Sequence, residues 1–168
     1  MRIVGAIAIW GCLASSCHAA NFTQIKGWQS GAWNSALFEN NSNGQRFCAL
    51  ESEGRSPVFR LNSYLADGDT FIELFDPNWS KMEGAVTFSL AFDTMDRGPI
   101  SIELRGRSWG DSYTYDILEK ANFDLLQGLL SASTSMQALN SNGATLATFS
   151  LDGAATAVRT FNECLRSR

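Results

Sequence analysis

The densest run of chemically active side chains lies between Arg105 and Tyr113. Two cations, Arg105 and Arg107, stand beside Trp109, Asp111 and Tyr113. Trp, Tyr and Arg are enriched at binding hot spots, so an exposed Trp109 could stack on a sugar ring or anchor a protein partner. The alternative is that the indole folds back on the domain and bonds a local carbonyl. The run predicts a binding surface for a protein or a glycan.

A second aromatic run, Asp76–Lys81, places Trp79 among Asp, Pro, Asn and Ser. Its composition is that of an exposed turn, in which Asp and Asn bond their own backbone. Trp79 is therefore a further candidate for binding, with packing against the domain as the alternative.

Residues 1–19 have the layout of a secretory signal peptide. Arg2 precedes an apolar run, and small residues lead to Cys17-His18-Ala19. The apolar run is shorter than the roughly twenty residues that cross a bilayer as a helix. We predict cleavage after Ala19, which leaves residues 20–168 as one secreted or periplasmic β-rich domain without a membrane span. The alternative is a lipid anchor on Cys17 or Cys12.

Cleavage would remove His18, the one histidine of the chain. Without a histidine, the mature domain cannot build a Ser–His–Asp or Cys–His centre, and zinc lacks its usual nitrogen ligand. We therefore predict no catalytic residue, no metal and no cofactor. Carboxylate pairs, such as Asp67 with Asp69 or Asp93 with Asp96, leave a glycan hydrolase as an alternative, although Asp also favours turns for its own hydrogen bonds.

Cleavage would also remove two of the four cysteines and leave Cys48 and Cys164. Disulfides persist in oxidising compartments, so these two cysteines predict one bridge. The net charge of −4 comes without a basic run. That charge argues against a nucleic acid or an anionic membrane surface as the partner.

Period-two alternation predicts a mainly β domain. The clearest strands are 85–92 and 100–105, joined by a hairpin at 93–99, and further short strands are predicted at 27–33, 47–52, 58–62, 70–75, 113–117, 135–139 and 145–151. Asn142-Gly143 marks the turn between the last two strands. In the first strand, Trp28 and Trp33 are predicted to be core residues.

Two helices interrupt the strands. Asn122 is predicted to cap the first, whose apolar stripe includes Leu126 and Leu130. The second opens at Asp152 or Gly153, and its buried face carries Cys164. We therefore expect an α+β fold, with an antiparallel sheet or β-sandwich and a C-terminal helix that the disulfide ties to the sheet.

The segment Phe149–Ala157, followed by Phe161 and Cys164, reads F-S-L-x-G-x-x-x-A. It resembles the C-terminal ending of the invasion-associated locus B family and of small periplasmic accessory proteins of type VI secretion. The resemblance implies a bacterial envelope β-domain with a non-enzymatic interaction role. The sequence thus favours a binding module for an envelope protein or glycan, with a hydrolase or a structural envelope component as alternatives.

Overall fold

A computed structural model describes residues 21–54, 56–79, 84–94, 98–117 and 119–167. The predicted signal peptide and its cleavage site lie outside these residues. The described chain forms ten strands and two helices, which are β1 (Phe22–Ser30), β2 (Trp33–Asn40), β3 (Arg46–Ser52), β4 (Val58–Tyr64), β5 (Thr70–Phe75), β6 (Gly84–Thr94), β7 (Gly98–Trp109), β8 (Ser112–Asp116), α1 (Lys120–Ala132), β9 (Ser133–Asn140), β10 (Thr145–Ser150) and α2 (Ala154–Arg166).

All ten strands belong to one antiparallel sheet in the order β1-β2-β3-β4-β5-β8-β7-β6-β9-β10. The prediction of a mainly β fold is confirmed, and a single sheet replaces the sandwich alternative. Neighbouring strands mostly follow one another along the chain, as short hairpin connections favour. The two exceptions are the β5–β8 and β6–β9 pairs, which place the β6–β7–β8 segment between β5 and β9 in reversed order.

One face of the sheet forms the hydrophobic core. Residues that alternate along each strand share this face, since successive strand side chains point to opposite sides. Leu50 pairs with Leu61, Leu61 with Ile72, and Phe88 with Leu104, and all five side chains are buried. The alternation in 85–92 and 100–105 thus predicts the correct inward residues.

Both helices pack on this inner face. Helix α2 contacts β1, β2 and β3, helix α1 contacts β6 and β9, and the helices contact each other. Helix α1 begins at Lys120, two residues before the predicted cap Asn122, because Glu119 is the residue with extended backbone. Helix α2 follows Gly153 as predicted, and the disulfide Cys48–Cys164 joins it to β3.

The prediction of one strand over 27–33 is wrong. A turn at Gly31 and Ala32 divides that segment between β1 and β2. Trp33 is completely buried, and its indole Nε1 donates a hydrogen bond of 2.8 Å to the Ser150 carbonyl. Trp28 is half-buried, with the Lys26 ammonium 4.6 Å from its ring centroid, so its assignment to the core is also wrong.

The outer face of the sheet carries aromatic and charged rows. Phe38 and Phe47 stack face to face, with ring centroids 5.3 Å apart. In the next strand, Arg60 bonds both Glu51 and Glu73. Burial alone would lower the pKa of Arg60, but the two carboxylates raise it, so the guanidinium stays charged. These aromatic and charged side chains therefore contact one another within the sheet.

Candidate functional site

Strands β7 and β8 are paired at one end only and separate along the rest of β7. Three residue pairs join these strands, namely Arg107 with Thr114, Ser108 with Tyr113, and Trp109 with Ser112. Strand β7 continues from this short ladder back to Gly98, paired with β6 along its length. Among the described residues, no strand pairs with the other edge of residues 98–105. We call the wedge-shaped space between this edge, β8 and α1 the β7–β8 cleft.

Gly106 lies where the two strands separate. A Cβ atom at this position would stand 1.8 Å from the Thr114 carbonyl oxygen and 3.3 Å from the Tyr115 Cα. Glycine in a strand often marks a close approach of another backbone, and here β8 crosses β7 without room for a side chain. This close crossing forms the narrow end of the cleft.

Gly106→Ala is expected to lower the free energy of unfolding by about 3 kcal/mol, since the methyl group would push the Thr114 carbonyl away and strain the short ladder. Chemical denaturation measures this change. Gly128→Ala is the matched control, because Gly128 lies in α1 and an added Cβ atom there would have no other part of the domain within 4 Å. The control should stabilise the domain by about 0.5–1 kcal/mol. Equal effects of the two substitutions would contradict the close crossing.

The inner part of the cleft is a cavity of about 240 Å³, which is lined mainly by aliphatic side chains and also by Glu103 and Asn122. That volume is below the roughly 300–1,000 Å³ of small-molecule sites, but it accommodates aliphatic side chains. Leu125 of α1 is 50% exposed at its wall, although it belongs to the apolar stripe of the helix. The other apolar lining residues are Ile72, Ile102, Leu104, Tyr115, Ile117 and Leu126.

The outer part of the cleft has walls of opposite charge. Arg105 and Arg107 line it on β7, while Asp116 and Glu119 line it on the side of β8 and α1. Arg105 forms an ion pair with Glu103 at 3.0 Å. Because both side chains are largely exposed, this ion pair contributes little to the stability of the fold. No ion pair among the described residues includes Arg107. The charged walls therefore face solvent and any occupant of the cleft.

The structure separates the side chains of the predicted binding run. Arg105 and Arg107 lie on the outer face, whereas Tyr113 lies on the inner face, because their strands alternate from the Arg107–Thr114 pair. Asp111 occupies the turn after β7, and its carbonyl accepts a hydrogen bond of 3.1 Å from the Asp76 amide. The backbone of Trp109 ends β7, and the exposure of its indole lies outside what the structure describes.

Trp79 packs against the domain. Its ring stacks on Tyr113 with centroids 4.8 Å apart, and Tyr113 in turn contacts the buried Phe88. Trp79 and Tyr113 therefore pack on the inner face of the sheet, next to the β7–β8 ladder at the narrow end of the cleft. Their direct contact with a ligand stays a prediction.

The Asp67–Asp69 carboxylate pair lies at a turn. Asp67 accepts a hydrogen bond of 3.0 Å from the Asp69 amide, a turn contact that Asp often makes. Asp93 lies in an exposed part of β6, near its end, and Asp96 lies outside the described residues. Within the described ranges, no group of three or more His, Cys, Asp or Glu side chains could hold a metal ion.

The sequence pattern does not identify Ile102 and Leu125 as site residues, because both belong to apolar patterns that usually mean core. One signal is present in the lengths of the strands. The apolar alternation of β7 begins at Ile100, whereas the following strand is short and leads directly into a helix. A long strand followed by a short partner leaves part of its edge free.

Compared with models of protein families, with curated proteins and with solved structures, the chain matches none. Among the described residues, no helix is long and apolar enough to cross a membrane.

Proposed function

We propose that this chain is a secreted or periplasmic, non-enzymatic interaction module that binds a partner protein in the β7–β8 cleft. The observation that carries the proposal is the free backbone edge of residues 98–105 beside an apolar cavity. An edge of unpaired N–H and C=O groups is a template for another polypeptide. A glycan would instead favour stacking on exposed aromatic faces, whereas the lining of this cavity is mainly aliphatic.

Export is supported by two features. The Cys48–Cys164 bridge fits an oxidising compartment, and residues 1–19 have the composition of a cleaved signal peptide. The C-terminal resemblance to small periplasmic proteins agrees with the same compartment and with an interaction role.

Leu125→Glu is expected to abolish partner capture while the fold is retained, because the side chain is half exposed and a carboxylate would enter the apolar cavity. The experiment compares envelope proteins recovered on the oxidised parent domain and on the variant, by quantitative mass spectrometry. Ile25→Glu is the matched control, since Ile25 is the other large exposed hydrophobic side chain of the described residues, 47% exposed on β1.

The same protein recovered by the parent and the control, and at least tenfold depleted with Leu125→Glu, supports the proposal. Equal recovery with both variants, or recovery of no protein, would overturn it.

A further inference from the structure

We infer that the partner binds the cleft as an extended strand that adds to β7, with aliphatic side chains at alternate positions directed into the apolar cavity. This inference rests on the proposed function and specifies the chemistry of its ligand. Strand addition is one of the recurring modes of peptide recognition, in which main-chain bonds supply affinity and pockets for alternate side chains supply specificity.

The first support is the backbone. Residues 98–105 are already held in place by β6 on one side, so their free amides and carbonyls are fixed before a ligand arrives. Fixed groups cost less entropy on binding than mobile ones. Pro99 has no N–H, but from residue 100 to residue 105 every second residue presents both its N–H and its C=O to the cleft. An extended chain is the ligand whose own groups recur at the same spacing.

The second support is the alternation of the side chains on β7. Ile100, Ile102 and Leu104 point to the inner face, and Ser101 and Glu103 point to the outer face. A strand added in the plane of the sheet has the same alternation. Its inward side chains would contact Ile102 and the exposed Leu125. An apolar side chain at these positions would bury Leu125 favourably, whereas a polar side chain would lose its contact with water.

The third support is the charge of the outer walls. The arginines on β7 and the carboxylates of Asp116 and Glu119 stand on opposite sides of the cleft. An outward side chain of the added strand would lie between these two walls. A basic side chain could pair with the carboxylates, and an acidic side chain could pair with the arginines. The outward positions of the peptide therefore accept residues of either charge, and the inward aliphatic positions determine its specificity.

The narrow end of the cleft limits how far the strand extends. The β7–β8 ladder begins at Arg107 and Thr114, and the close crossing at Gly106 leaves no space beyond it. The added strand therefore pairs with residues 98–105 and turns out or ends before Gly106. A segment of about five to eight residues meets this limit at the rise of a β-strand.

The test uses a displayed library of random peptides, selected on the oxidised parent domain and counter-selected on Leu125→Glu. Enriched peptides should alternate aliphatic and polar residues over at least about five positions. When such a peptide binds, hydrogen exchange of amides within 98–105 should slow at least tenfold, while the amides of the distant edge strand β1 stay unchanged. N-methylation of the peptide amides that face β7 should weaken binding at least tenfold, and N-methylation of the intervening amides should not.

Peptides with apolar residues at helical spacing, or binding without slowed exchange at 98–105, would overturn strand addition but leave the cleft as the binding site. A library that yields no peptide dependent on Leu125 would overturn strand addition. The proposed function is judged separately, by capture of folded envelope proteins.

Discussion

Replacing both Cys48 and Cys164 by alanine is expected to lower the free energy of unfolding by about 5 kcal/mol. The bridge closes a loop of 116 residues, and in the chain-entropy model a loop of that length restricts the unfolded chain by about this amount. The whole stability of a domain is about 5–15 kcal/mol, so the variant should be close to unfolding. Urea denaturation of the oxidised parent and of the double variant measures the difference.

The alanine pair avoids a free thiol, and reduction of the parent protein provides the control. Cys48 and Cys164 are both buried, so a reductant should act slowly until the domain opens. Once reduced, the parent should match the double variant in its free energy of unfolding to within about 1 kcal/mol. A double variant as stable as the oxidised parent would show that the bridge does not hold α2 on the sheet.

Trp33→Ala is expected to destabilise the domain by about 4 kcal/mol, an effect second only to loss of the disulfide. The indole is completely buried, its ring contacts Phe59, and its N–H bonds the Ser150 carbonyl. Truncation of a buried tryptophan creates a cavity and costs about 3–5 kcal/mol. It also leaves the Ser150 carbonyl without its donor. Thermal and urea unfolding measure the change.

Trp28→Ala is the matched control, since Trp28 lies on the neighbouring strand β1, where it pairs with Ser35. Its ring is half-buried and contacts the Lys26 ammonium, a cation–π contact worth about 0.5–1 kcal/mol at an exposed site. We expect a loss of about 1 kcal/mol or less. If the two tryptophans had equal effects, the first hairpin would have to pack differently from the structure.

Trp33 is important because it joins the two ends of the domain. Its bond to Ser150 is accompanied by a contact between the Gly31 turn and the start of α2, where the Ala32 amide donates to the Asp152 carbonyl at 3.0 Å. Gly153 has φ +83°, and a Cβ atom there would stand 2.1 Å from the Ser30 carbonyl. Two backbones therefore meet at this point, and glycine is required on both sides of the contact.

The features that depend on local pattern can be predicted from the sequence. The alternation of β6 and β7, the turn before Gly143 and the apolar face of α2 each lie within a short segment, where periodicity determines the structure. The disulfide is also predictable, because the predicted cleavage after Ala19 would leave a single pair of cysteines.

The division of the sheet cannot be predicted in the same way. The cleft exists because β8 pairs with β5 along its length and with β7 over three residues, and this choice between partners is a non-local one. Arg105 and Arg107 can be identified from residue type alone, and they do line the cleft. Ile102 and Leu125 could not be distinguished from core residues without knowing that β7 has a free edge.

The free edge also carries features that protect the domain from aggregation. Glu103 and Arg105 place charges on the outer side of the edge, and Pro99 lies near its beginning. Charged residues and proline are the devices that natural sheets use to protect edges from nonspecific pairing. We therefore expect the edge to bind an extended peptide whose side chains also fill the cavity, and to bind weakly a strand that makes only backbone hydrogen bonds.

The most direct test of the cleft as a binding surface is the affinity of the captured partner, titrated against the parent domain, Leu125→Glu and Ile25→Glu. We predict that Leu125→Glu raises Kd at least tenfold, while Ile25→Glu leaves it within about twofold, with both variants unfolding at the same denaturant concentration as the parent. Equal Kd values for all three proteins would place the partner elsewhere on the domain and rule out the β7–β8 cleft as its binding site.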